Sequence, residues 1–381
     1  MAKNPLRTRL CDMLDIEYPI ILAGMGGMGG PVSGPELVAA VSNAGGLGIL
    51  GCAFLPPHKV EAMIKKTKSL TNKPFGVDTV LPGEVPQTGT TAEFRGELPS
   101  VASEQTDFVD KLREELGVPR PTGGKGYLSE MADDTVFSGD LFKEQIEVIL
   151  EERVPVYAAG LGDPGFMIAE AHARGMKVIG VVGHVRAARR VARSGVDIIV
   201  AQGHESGGHV SRVGTMPLVP QVVDAVSPIP VVAAGGIGDG RGLVAALALG
   251  AVGVWCGTVF VGTYESIYED YLKQRIVEGT EDDTQVSRVI TGKQARYMKN
   301  RLIAAWEKAG LPTLPMPLQP IVILPILDGA YEARVADIVP APAGQIAGMI
   351  NELKPAKQVV EEMVEGAKRV LAELSSNFER L

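Results

Sequence analysis

Eight short apolar runs recur along the chain, and each but the last is followed by a stretch of helix-forming residues at helical spacing. Short apolar runs bounded by turn residues are strands buried on both faces, and their interleaving with helices calls for a parallel sheet. The runs fall at 18–23, 47–50, 75–80, 154–159, 177–182, 196–200, 230–234 and 252–256. Helical stretches are predicted at 34–44, 57–67, 141–151, 165–174, 186–194, 218–225 and 240–249. Eight such units fit an α/β fold of the closed (β/α)8 TIM-barrel type. An open doubly wound sheet generates the same alternation. Glycine-rich or polar segments after so many strand ends favour the barrel, which builds its sites on that rim.

Two regions interrupt the pattern. Residues 82–140, rich in Gly, Pro, Thr and charge with one helical piece at 108–116, separate the third strand from its helix. They form a long insertion over the strand ends, readable as a lid or as a decoration. Residues 264–338 break the alternation more thoroughly, with helices predicted at 268–278 and 297–308 and a Pro-rich stretch at 311–325. The expected organisation is therefore a barrel from 1–262 and 340–381, with 81–140 as a lid-like insertion and 263–339 as a small helical domain capping the substrate. The final stretch 354–374 puts Val359, Val360, Met363, Val364, Ala367, Val370, Leu371 and Leu374 on one helical face, as a closing outer helix requires.

Charge and cysteine usage narrow the class. A net charge of −8 and the lack of a basic run give no footprint for nucleic acid. Cys11, Cys52 and Cys256 are far apart and not at metal-ligand spacing, as expected of buried small residues in a reducing compartment. The start carries positive charge without an apolar segment after it, so no secretory signal is read and a cytoplasmic location is expected. The charge-free stretch 242–262 is about long enough to span a bilayer, but Gly250 and Gly253 divide it into a helix and a buried strand, so no membrane partner is expected.

The chemistry-bearing motifs sit at strand ends. After the sixth strand comes Gln202-Gly-His-Glu-Ser-Gly-Gly-His209, glycines beside two histidines and a carboxylate. After the seventh comes Ala233-Ala-Gly-Gly-Ile-Gly-Asp-Gly-Arg-Gly242, and the eighth ends at Gly257-Thr258. In eight-stranded barrels the loops after strands seven and eight form a phosphate cup from backbone N–H groups and a hydroxyl, which places Gly235, Gly236, Gly257 and Thr258 where such a cup needs them. Asp239 reads as a helix N-cap. The loop Gly24-Met-Gly-Gly-Met-Gly-Gly30 imitates a dinucleotide fingerprint, but the next strand runs into Gly51-Cys52-Ala53 instead of the acidic residue that fingerprint needs.

Ala23-Gly-Met25, Phe75-Gly-Val77, the two long motifs above, Gly257-Thr258 and Pro342-Ala-Gly-Gln-Ile346 together resemble the nitronate monooxygenase family, formerly called 2-nitropropane dioxygenases. The resemblance covers most of residues 10–262 and returns in 342–346 and the last helix. It implies an FMN-binding barrel that oxidises alkyl nitronates with O2 as co-substrate to carbonyl compounds and nitrite. It also implies that Ala23, Gly24 and Met25 line the flavin ring, with Asp78, Gln202, Gly207 and Gly208 in the same pocket. Ala234, Gly235, Gly236, Gly257 and Thr258 would hold the FMN phosphate, and His209 would be the catalytic residue. Two positions depart from the pattern: Asp78 stands where many members have Asn, and Val181 where some carry Lys. An Asp there would oppose negative charge on a reduced ring.

A histidine suits the implied reaction because, neutral, it accepts the acidic α-proton of a nitroalkane and, protonated, it donates to a nitronate oxygen. His204 and Glu205 lack zinc-protease spacing and no metal is expected; Glu205 reads as orienting a turn or a partner side chain. His184 is a weaker pocket candidate at a helix start, and His58 and His172 read as surface residues on helices. The expected partners are a small-molecule substrate and O2, with a homodimer as the assembly considered. The alternative enzyme reading is a flavin-dependent NAD(P)H:quinone or enoyl-thioester reductase of the same superfamily. A non-catalytic phosphate-ligand binder is disfavoured, since His209 would have no task in it.

Overall fold

All eight apolar runs form parallel strands: β1 Ile20–Leu22, β2 Gly48–Gly51, β3 Phe75–Val80, β4 Val156–Gly160, β5 Lys177–Val182, β6 Ile198–Gln202, β7 Val231–Ala234 and β8 Val254–Cys256. They are seen in a computed structural model that describes residues 4–27, 30–81, 93, 96, 102–122, 126–129 and 139–378. From β2 to β8 each strand pairs with the next, and β8 pairs with β1. A parallel bridge between Ile21 and Leu47, with Leu22 N donating to Leu47 O and Leu47 N to Ile20 O, both at 2.9 Å, joins β1 to the start of β2. The ring is the (β/α)8 TIM barrel, and the open-sheet alternative is excluded.

Because successive side chains alternate across a strand, each run feeds two cores. Ile21, Ile49, Val156, Ala158, Ile179, Ile198, Val200, Val232, Ala234 and Trp255 pack inside the barrel, with Leu10, Cys11 and Leu14 of helix Arg9–Leu14 below them. Ile20, Leu22, Leu50, Val77, Tyr157, Val178, Ile199, Val231 and Val254 face the helices outside. The outer helix Ala356–Phe378 buries Val359, Val360, Met363, Val364 and Ala367 in that second core. The charge-free stretch resolves into helix Gly240–Ala248, β8 and helix Thr258–Val261, and among the described residues no helix is long and apolar enough to cross a membrane.

A third core lies over the C-terminal ends of the strands. It joins residues of helices Asp270–Val277, Arg301–Ala309 and Leu318–Glu332 to Val109, Leu112, Val118 and Leu128 of the insertion. The insertion's helix Ser103–Glu115 sets Phe108 edge-on against Trp306, ring centroids 5.2 Å apart, and Ser129 N donates to the buried Asp328 Oδ1 at 3.0 Å. Half of the stretch read as lid-like, residues 82–92, 94–95, 97–101, 123–125 and 130–138, lies outside the described residues.

Two predicted boundaries in this region move. The helix predicted at 297–308 starts later, because Ala295–Met298 is a strand, β10, antiparallel to β9 Thr284–Ser287. The helix begins after Asn300, whose side chain accepts from Ile303 N at 3.1 Å and caps it. The Pro-rich stretch contains the start of helix Leu318–Glu332. Pro320 occupies its first turn, where a missing N–H leaves no bond unmade. The helix is buried on nearly every side, so it has no polar face to give the sequence a helical period.

Candidate active site

The strand ends and the third core enclose a cavity of about 810 Å³. Its floor is made by the inward positions nearest the strand ends: Asp78 on β3, Val181 on β5, Gln202 on β6, Ala234 on β7 and Trp255 on β8. Every residue that the resemblance assigns to the flavin pocket or to catalysis lines it: Ala23, Gly24, Met25, Asp78, Gln202, Gly207, Gly208, His209, Ala234, Gly235, Gly236, Gly257 and Thr258.

The glycines do different things. At Gly24 a Cβ would lie 2.2 Å from Asp78 Cβ, so only glycine lets β1's end pass that carboxyl. Gly235 has φ +96°, a left-handed backbone, and a Cβ there would also press on Gly203 O and Thr215 Oγ1 at 3.0 Å. Gly207 makes room for chain: a Cβ would meet Ala343 C at 2.7 Å and Gly344 N at 2.8 Å. Gly344 N in turn donates to Thr258 Oγ1 at 2.9 Å, tying the segment 342–346 to the loop after β8.

The loop after β6 is held from several directions. Gln202 Nε2 donates to His209 O at 2.6 Å and to Ser206 Oγ at 2.9 Å. Glu205 accepts from Thr215 N at 2.9 Å and from Thr215 Oγ1 at 2.9 Å, the turn-orienting role expected of it. Arg296 donates to His204 O at 3.0 Å. Gly208–His209 then forms a short strand that pairs with Ala295 and Arg296 of β10, so the motif is stitched to the capping sheet.

The electrostatics at the two ends of the cavity differ. Burial, with the Lys293 ammonium nearby, pushes the His209 imidazole down to about 4, so it is neutral at pH 7. The surface His209 retains faces the cavity it lines. Burial raises the Asp78 carboxyl well above its usual range; its Oδ1 is enclosed without a hydrogen-bond partner, and its remaining surface also faces the cavity. A carboxylate there would be an uncompensated buried charge, so the neutral acid is the form the site holds.

The other histidines fall away from the chemistry. His184 stands at the start of helix Val185–Ser194 without a capping bond and does not line the cavity. His172 pairs with Asp197 at 2.9 Å on the surface, His58 is exposed, and His204 Nδ1 bonds Ser211 O at 2.6 Å. Asp239 caps helix Gly240–Ala248 by accepting from Arg241 N at 2.9 Å. The three cysteines are buried and unpaired, and among the described residues no cluster could hold a metal ion.

The turn between β9 and β10 brings Arg288, Thr291, Lys293 and Gln294 to the cavity, with Tyr297 behind them; none was singled out from the sequence. Tyr127, Tyr268 and Tyr331 add an aromatic wall, Tyr127 stacked on Tyr331 with ring centroids 5.4 Å apart. The available signal was Thr291-Gly292 between two short β-prone runs, with Gly292 at φ +77°.

Residues 7–366 match the nitronate monooxygenase family. A Mycobacterium tuberculosis protein provisionally named a monooxygenase is 37% identical over 372 residues, covering 94% of this chain and 96% of its own. A Staphylococcus aureus protein provisionally named a nitronate monooxygenase is 36% identical, covering 78% of this chain and 79% of its own. Among solved structures, nitroalkane oxidase from Streptomyces ansochromogenes is similar with a TM-score of 0.75 and 30% identity, covering 96% of this chain and 99% of that one. FabK from Thermotoga maritima is similar with a TM-score of 0.74 and 32% identity, covering 97% of this chain and 99% of that one. A barrel with its cavity at the strand ends, relatives of this identity and a match over nearly the whole length lead to one conclusion: the chain is an oxidoreductase that belongs to the nitronate monooxygenase family.

Proposed function

We propose that the chain is an FMN-dependent nitronate monooxygenase, converting an alkyl nitronate, supplied as such or formed in the cavity from the nitroalkane, and O2 to a carbonyl compound and nitrite. The observation that carries this reading is His209, an imidazole kept neutral inside the cavity beside the Lys293 ammonium. A neutral ring accepts the α-proton of a nitroalkane, and the neighbouring cation offsets the negative charge that then develops on the nitro oxygens. Arg288 on the same turn adds a second positive charge at the rim. A neutral Asp78 keeps one negative charge out of the site, and Tyr331 donates to the lining Glu269 at 2.9 Å.

The residues present suit FMN. The cavity falls in the range of small-ligand sites, ~300–1,000 Å³. At Gly208, which lines the cavity with φ +69°, a Cβ would meet nothing within 4 Å, so the bare backbone leaves open space there. In this reading Ala23, Gly24, Met25, Gln202, Gly207 and Gly208 surround the ring, with Asp78 at its edge. Ala234, Gly235, Gly236, Gly257 and Thr258 hold the phosphate through backbone N–H groups and the Thr258 hydroxyl. When bound, FMN supplies the electron-accepting ring and the reaction with O2. Residues 263–339, with the described part of the insertion, cap the substrate and exclude bulk water.

A second reading, a flavin-dependent NAD(P)H:quinone or enoyl-thioester reductase, is favoured by Arg288. Its exposed side chain has no ion-pair partner among the described residues and offers a docking charge for a phosphate-bearing donor or carrier. Aerobic incubation with propionate 3-nitronate or ethylnitronate, following nitrite, against incubation with NADPH and a quinone, following NADPH oxidation, separates the two. Nitrite without NADPH consumption is the expected result; the reverse pattern establishes the reductase.

A further inference from the structure

The imidazole of His209 has one hydrogen-bond partner among the described residues: Nε2 lies 3.2 Å from Thr291 Oγ1. Thr291 belongs to the turn between β9 and β10, so the partner comes from the capping sheet and not from the barrel. A threonine hydroxyl has one proton to give and two lone pairs to offer. Here the proton is directed at Lys293 O, 3.2 Å away, in the same turn. Lys293 N donates to the same hydroxyl oxygen at 3.4 Å, so one lone pair is taken within the turn and one is left for the ring. With its proton committed to a backbone carbonyl, Thr291 Oγ1 presents only that lone pair to the ring. The contact is satisfied when Nε2 carries hydrogen, and unsatisfied when Nδ1 does.

We propose that Thr291 is a positioning residue that fixes His209 as the Nε2–H tautomer, leaving Nδ1 as the nitrogen that takes the substrate's proton. The inference rests on the reading of His209 as proton acceptor. The proton passes from the substrate α-carbon to Nδ1; the C–H electron pair stays on the substrate as the nitronate, and the imidazolium keeps its Nε2–H donated to Thr291. The ring's second hydrogen bond is thus made before and after the transfer, and the backbone is held meanwhile by Gln202 and β10. The capping sheet therefore supplies part of the proton-transfer geometry, and a barrel without it would hold the histidine without choosing its tautomer.

The test is nitrogen NMR of the full-length chain, carrying whatever flavin it purifies with, labelled at histidine nitrogen. The His209 signals are identified by their loss in His209→Asn. The expected result at pH 7 is an unprotonated Nδ1 and a protonated Nε2 in the wild type and in Thr291→Ser. Thr291→Val is expected to show a mixture of tautomers and a kcat on nitroethane lower by about tenfold, the scale of one orienting hydrogen bond, with Thr291→Ser restoring both. A protonated Nδ1 in the wild type, or an unchanged tautomer and kcat in Thr291→Val, overturns the proposal. Failure of the underlying reading shows separately, as nitroethane turnover that survives His209→Asn. The wild-type spectrum alone decides the tautomer if the valine variant does not fold.

Discussion

Gln202 and His209 are joined by a 2.6 Å hydrogen bond from the side-chain amide of one to the backbone carbonyl of the other. The bond spans the ends of a glycine-rich loop, so the last residue of β6 fixes the height at which the imidazole stands over the barrel. Gln202→Leu removes that donor and the bond to Ser206 together. We expect kcat on a nitroalkane to fall by about tenfold, with the fold intact by circular dichroism, the scale at which one lost orienting bond is felt. Steady-state kinetics check this.

His209→Asn is expected to lower turnover of neutral nitroethane by about 10²-fold or more, the usual contribution of a general base. Preformed ethylnitronate, which has already lost the proton, should be spared most of that loss. Parallel assays on the two substrates distinguish the outcomes.

The same histidine makes stability depend on pH. Its pKa is depressed from 6.5 to about 4 in the folded chain, so the unfolded chain binds the proton first on acidification. Stability from this group is full above pH 6.5 and is lost as pH falls towards 4, by up to about 3 kcal/mol. Denaturant melts of wild type and His209→Asn across pH 4–7 should show the wild type losing stability relative to the variant as pH falls.

Asp78 acts in the opposite sense. Its folded pKa is raised, so its contribution is complete below the unfolded value of 3.8 and declines as pH rises through the folded value. Asp78→Asn preserves shape without the titrating proton, and is expected to raise Tm at pH 8 while changing little at pH 4. Calorimetry at the two pH values provides the check.

At Gly235 a side chain meets both a left-handed backbone and contacts at 3.0 Å. Gly235→Ala is expected to cost about 1–3 kcal/mol and to weaken retention of FMN, read as flavin released on desalting.

The barrel was legible because strands buried on both faces leave unbroken apolar runs, and the runs at 75–80 and 177–182 coincide with β3 and β5. The lining glycines were legible for a related reason: close approach and left-handed backbone restrict the residue type at Gly24 and Gly235. The turn carrying Thr291 and Lys293 was not. Its strands are four residues each, and Gly208–His209, which pairs with β10, is two residues long, so no period can develop. The helix Leu318–Glu332 was hidden by its burial on nearly every side and its prolines. Pairing between residues 208–209 and 295–296 is a long-range contact that no local pattern announces.

The most direct test of nitronate oxidation is anaerobic rapid mixing of the purified flavoprotein with ethylnitronate and, separately, with NADPH. Bleaching of the flavin by ethylnitronate but not by NADPH is predicted. Rapid bleaching by NADPH with no response to ethylnitronate or propionate 3-nitronate would contradict it.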